Sequence, residues 1–195
     1  MGREKTLDKG ILWVLLMQGA EITRMPCYDE EIVLKSWPGQ TMHLLFPRYY
    51  SVETAAGEKL LKASALWSLV NAETRKVVFP ERYGIEIAGV TTGEEIELPS
   101  AIRKQDCDRE RDFTVPYSFV DLNGHMNNTR YFDLAEDCAG AAARGLELQE
   151  VRTEYVSEVR FGETMRLRWN GEEGEVFLTG ECGEKPAFRM VLRYR

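Results

Sequence analysis

The chain lacks a hydrophobic run long enough to span a bilayer. Its longest early stretch, Ile11 to Met17, falls far short of the ~20 apolar residues a membrane helix needs, and no small-residue cleavage site follows it. Histidine is scarce, with two residues, His43 and His125. Cysteine is limited to Cys27, Cys107, Cys138 and Cys182. None forms a C-x-x-C pair or stands near a histidine at metal-ligand spacing, so a zinc site and a disulfide framework are both set aside. Four free thiols point to a reducing, cytoplasmic setting. Basic excess is missing too. The net charge is −7, the opposite of a nucleic-acid binder's clustered positive charge.

What remains is an ordinary globular composition, 44% hydrophobic and 29% charged over 195 residues. A chain of this length buries roughly 70% of its unfolded surface and needs no staples. The first half reads as strands. Glu30 to Trp37 alternates, Pro38-Gly39-Gln40 turns, and Thr41 to Glu53 and Glu58 to Asn71 are long runs joined at Ala56-Gly57. An irregular stretch from Phe79 ends in the charged run RKQDCDRERD, read as a solvated connector.

One long helix is expected, from Asn127 to Arg144. Tyr131, Leu134, Ala135, Cys138, Ala139 and Ala142 follow helical spacing. Asn127 or Asn128 can cap its start and Gly145 can end it. Its alanine-rich face suits close approach to a sheet, and Cys138 on that face reads as packing. Strands return from Val151, with turns at Asn170-Gly171 and Gly183-Glu184.

The chain repeats itself weakly. Glu21 with Tyr28 aligns with Glu154 and Phe161, and Gly57-Glu58-Lys59 with Gly183-Glu184-Lys185. Each half reads as a strand meander meant to wrap one helix. Moved back by the repeat, the helix would fall largely before residue 1, so the first unit is expected to be incomplete. The first-half counterpart of Glu158 is Met25, read as core or pocket lining. His43 reads as structural or exposed. Trp13, Trp37, Trp67 and Trp169 read as core fillers.

The densest polar segment is Asp121-Leu-Asn123-Gly-His125-Met-Asn127-Asn128, directly ahead of the helix. Asp, Asn and Gly are turn and cap residues. Yet a helix N-terminus also offers N–H groups to a developing oxyanion, and histidine exchanges a proton near neutral pH.

D-L-N-G-H-M-N-N ahead of Tyr131 resembles the signature of the acyl-ACP thioesterases. Trp13-Val-Leu, Glu21-Ile, Tyr28 and Ser36-Trp37-Pro38 are similar to that family's first-half pattern, and Glu154-Tyr-Val-Ser-Glu158 to its E-Y-x-x-E strand. The resemblance implies an α+β tandem (double) hotdog, antiparallel sheets each wrapping a central helix, the first truncated at its N-terminus. The expected divisions are 1–98 as scaffold, 99–112 as linker and 113–195 as the catalytic unit. The resemblance further implies hydrolysis of fatty acyl-ACP, with Asp121, Asn123, His125 and Glu158 as the catalytic network. Asn127 and Asn128 are the expected substrate contacts. Acyl carrier protein with its fatty acyl-phosphopantetheine is the expected partner, with no metal, cofactor, nucleic acid or membrane.

Plant members carry a cysteine after the strand glutamate. Here Val159 takes that place, which favours attack by water over a covalent thiol route. An acidic carrier would need a local basic patch, and Arg103, Lys104, Arg109, Arg111, Arg189, Arg193 and Arg195 are the candidates. An acyl-CoA hydrolase of hotdog type and a truncated acyl-binding protein are the alternatives. An uncovered curled sheet would expose apolar surface, so a homodimer or a natural start further upstream is expected.

Overall fold

Alternating apolar residues in Lys59–Asn71 give a strand, β4, that is paired on both sides. β1 (Ile11–Ile22) lies antiparallel along one edge and β3 (Phe46–Thr54) along the other; β2 (Ile32–Pro38) extends the order to β2-β3-β4-β1. A computed structural model describes residues 8–141, 144–171 and 174–195, and the chain divides into two compact units between Ser100 and Ala101. The N-terminal core gathers Ile11, Phe46, Leu69 and Ile85, with Trp13 and Trp67 against them. Trp13 meets the Phe46 ring edge-on at 4.8 Å.

Two expectations for this unit change. The run Thr41 to Glu53 is not strand throughout: Met42 and Leu45 exchange backbone hydrogen bonds around His43, whose φ of 54° closes a tight turn. Met25 is not core, being 62% exposed. It lies in the turn after β1, where Arg24 reaches Glu30 and Glu58 at 2.8 Å each and fills the surroundings with charge. Among its described residues this unit has no α-helix, only a short 3-10 turn at Pro80–Tyr83.

The C-terminal unit is a five-stranded antiparallel sheet, β6-β9-β8-β7-β5. Its strands are β5 (Arg109–Thr114), β6 (Leu148–Tyr155), β7 (Thr164–Gly171), β8 (Glu175–Cys182) and β9 (Lys185–Tyr194). One helix, α1 (Arg130–Ala139), packs on it through Tyr131, whose ring stands edge-on to Phe188 at 4.7 Å and to Tyr155 at 5.4 Å. Phe177, Phe188, Leu167, Leu178 and Met190 are fully buried. Gly180 passes beneath Phe188 so closely that a Cβ there would sit 2.4 Å from the ring.

The helix is shorter than its periodicity predicts. Gly140, at φ 59°, donates its N–H to the Glu136 carbonyl and ends α1 before Gly145 is reached. Ala142 lies outside the described residues, as does the chain just past Asn170-Gly171. The charged run is not all connector: Arg109 to Asp112 begin β5. Their charges alternate against those of β7, with Glu110 on Arg168 at 3.2 Å and Asp112 on Arg166 at 3.5 Å.

Candidate active site

From β5 the chain passes a 3-10 turn at Tyr117–Phe119 into the segment Asp121 to Asn128. Asp121 organises this segment. Its N–H donates to the His125 carbonyl at 3.0 Å, and its own carbonyl accepts from Gly124 N–H at 3.0 Å. Its carboxylate accepts from Asn123 twice, from the backbone N–H at 2.8 Å and from Nδ2 at 3.0 Å. Gly124 adopts φ 79°, which the turn requires.

The loop is fastened to the chain beyond β6. Met126 N–H donates to the Val159 carbonyl at 2.7 Å, and His125 pairs with Arg160 across an isolated bridge. That fastening sets His125 Nε2 3.0 Å from Glu158 Oε2. The imidazole is sheltered, 14% exposed, while the carboxylate is 40% exposed. A sheltered base joined to a wetter carboxylate can take a proton from water and pass it on.

Two hydrogen-bonded pairs therefore emerge, Asp121 with Asn123 and His125 with Glu158, joined through the Asp121 N–H to His125 carbonyl bond. Asn127 uses its side-chain oxygen locally, accepting from Thr129 N–H and Oγ1 at 2.9 Å each to start α1. Asn128 is exposed. Its carbonyl accepts from the Tyr155 hydroxyl at 3.1 Å, a bond that ties the end of β6 to the entrance of α1. Tyr155 had no assigned role in the sequence, although it stands three residues before Glu158. Burial pushes its phenol well above the usual range, so it stays a donor.

The thiols stand apart from this chemistry. Cys138 is half-buried on α1, and burial raises its pKa. Val159 is fully buried. Among the described residues no group of three His, Cys, Asp or Glu side chains could hold a metal, and no helix is long and apolar enough to cross a membrane.

The expected basic patch is corrected. Arg109 meets Asp108, Arg111 meets Asp137 and Lys104 meets Glu181 within 4.0 Å. Arg189 binds Glu154 at 3.0 Å and Arg195 binds Glu147 at 2.8 Å. Arg193 bridges Glu150 and Glu175. Neighbouring strands and the helix supply these acids, so positive residues close in sequence do not add up to positive surface. Of the seven, only Arg103 has no ion-pair partner among the described residues.

A sheet crossed by one helix, with an Asp-Asn and a His-Glu pair at the helix entrance, defines an acid-base site on an α+β scaffold. The acyl-ACP thioesterase N-terminal domain matches residues 1–102, and the C-terminal domain of the same family matches residues 102–181. The chain belongs to the acyl-ACP thioesterase family. It is 23% identical over 160 residues to a chloroplastic acyl-[acyl-carrier-protein] hydrolase of Cuphea viscosissima, a match covering 77% of this chain. It is 24% identical over the same length to a chloroplastic palmitoyl-acyl carrier protein thioesterase of Arabidopsis thaliana. The chain spans 39% of the length of both relatives. The fold is that of the acyl-ACP thioesterase from Bacteroides thetaiotaomicron, with a TM-score of 0.84 at 23% identity, covering 100% of this chain and 81% of that one.

Proposed function

We propose that this chain hydrolyses the thioester of fatty acyl-ACP to free fatty acid and ACP. The His125 Nε2 to Glu158 Oε2 contact of 3.0 Å carries the reading. A water beside the pair gives up a proton as its oxygen bonds to the thioester carbonyl carbon. The carbonyl electrons move onto oxygen, where an Asn123 N–H and loop N–H groups receive the charge. One Asn123 N–H is held by Asp121, which fixes the plane of the other. When the carbonyl re-forms, the C–S bond breaks and the thiolate takes the proton from His125. Val159 in place of a thiol favours this direct attack.

The same reading makes each unit a hotdog, the first lacking its helix and serving as scaffold, with Asn127 and Asn128 at the substrate's entry. Free thiols favour a reducing, cytoplasmic compartment. Thiol release from a panel of acyl-ACPs tests the proposal. His125→Ala is expected to lower release by about 10²–10⁴-fold, the usual worth of a general base. Release unchanged in the variant would remove His125 from the chemistry. Equal or faster release from the matching acyl-CoA would move the assignment to the other carrier. Acyl binding without release from either carrier would make the chain an acyl-binding protein.

A further inference from the structure

Strand β2 ends the sheet order of the N-terminal unit, so no strand lies beyond its outer edge within that unit. Its backbone groups alternate in direction. Ala55 N–H donates to the Glu31 carbonyl, and Ile32 stands opposite Thr54. Glu31, Val33 and Lys35 therefore aim their N–H and C=O groups at β3, while Ile32, Leu34 and Ser36 aim theirs outward. The outer edge is covered only near its far end, where Val90 N–H donates to the Pro38 carbonyl. Among the described residues nothing pairs with it from Ile32 to Ser36. The side chains there are bare as well: Ile32 is 43%, Val33 41% and Leu34 65% exposed. Alternation places them on both faces of the strand. An exposed apolar edge is a template for another strand.

We propose that β2 pairs antiparallel with β2 of a second copy of this chain, about a twofold axis at Val33. The segment Glu31-Ile32-Val33-Leu34-Lys35 is self-complementary in that register. Val33 faces its own counterpart, Ile32 faces Leu34, and Glu31 faces Lys35. The outward N–H and C=O groups of Ile32 and Leu34 then exchange both of their hydrogen bonds. Neighbouring registers fail this match. Centring on Ile32 sets Val33 against Glu31, centring on Leu34 sets it against Lys35, and centring on Lys35 opposes like charges. Glu31 is exposed and has no ion-pair partner among the described residues, while Lys35 is shared only with Glu53. The surface is small, so the dimer is weak and dissociates on dilution. The assembly is isologous, as a twofold contact must be.

Sedimentation velocity of the full chain, from low to high micromolar loading, tests this. The wild-type coefficient should rise with concentration towards that of a dimer. Val33→Lys sets two ammonium groups face to face and should weaken association by about tenfold or more. Glu31→Lys should weaken it in the same direction, with added salt relieving the repulsion. Both sites are exposed, so far-UV melts should stay near wild type; should Val33→Lys misfold, Glu31→Lys carries the test alone. Amide hydrogen exchange should show Ile32 and Leu34 protected only at high loading. A wild type that is monomeric at every loading overturns the proposal. So does a dimer that survives both substitutions, or one that leaves those two amides unprotected.

Discussion

Tyr155 shows how a single hydroxyl can connect the two halves of the candidate site. Its ring packs against Tyr131 at 5.4 Å, and its O–H donates to the Asn128 carbonyl at 3.1 Å. Glu158 follows three residues after it, and His125 precedes Asn128 by three. Tyr155→Phe keeps the ring contacts and removes only the donor. The expected loss is about 1 kcal/mol of stability, read from a urea melt. In the proposed hydrolysis kcat should fall while KM stays near wild type, because the base shifts and the acyl chain's surroundings do not. A change in KM alone would make Tyr155 a lining residue. The sequence displayed Asp121, Asn123 and His125 openly, because one short loop holds all three and a turn needs such residues anyway. Tyr155 was harder to read. Tyrosine is a common core filler, and its partner is a backbone carbonyl, which no side-chain pattern reveals.

At the scale of elements, the misread boundaries share a cause. Apolar spacing tells which face is buried but not where a neighbouring chain stops the element. The spacing of Tyr131, Leu134, Ala135 and Cys138 marked α1, and the same spacing ran on through Ala139 and Ala142. Two glycines could have ended it, and the nearer one does, because Gly140 takes the left-handed conformation. Gly140→Ala forces a Cβ into that conformation. It should destabilise the chain by about 1 kcal/mol, with the helix end affected first in hydrogen exchange. A neutral result would mean that the last turn simply unwinds onto Ala141. Strand β5 hid for a different reason. Arg109, Glu110, Arg111 and Asp112 look like a solvated run until the opposite charges of Arg166 and Arg168 stand across from them.

For the whole molecule, a net charge of −7 suggests many carboxylates repelling one another, yet the structure distributes arginines among them. The same distribution removed the basic patch: a count of charges along the chain says nothing about which are already spent on a neighbour. It also sets the acid response. The Arg24 guanidinium holds Glu30 at about 2, below its ordinary 4.5, helped by the Cys27 N–H. Arg24 lowers Glu58 too, while Lys35 and then Lys59 lower Glu53. A carboxylate depressed in the folded state binds its proton more readily once unfolded. Its contribution is therefore complete above pH 4.5 and disappears as the pH falls towards 2. These groups are well solvated, so salt should soften the effect. Arg24→Met releases Glu30 and Glu58 together. Thermal melts between pH 5 and pH 2 should then show a shallower loss of Tm than wild type, with the two curves converging at the acid end. Parallel curves would show that Arg24 stabilises through packing of its stem alone. The N-terminal unit carries this network, so the acid transition should appear there, in the Trp13 and Trp67 environment, before the sheet of the C-terminal unit responds.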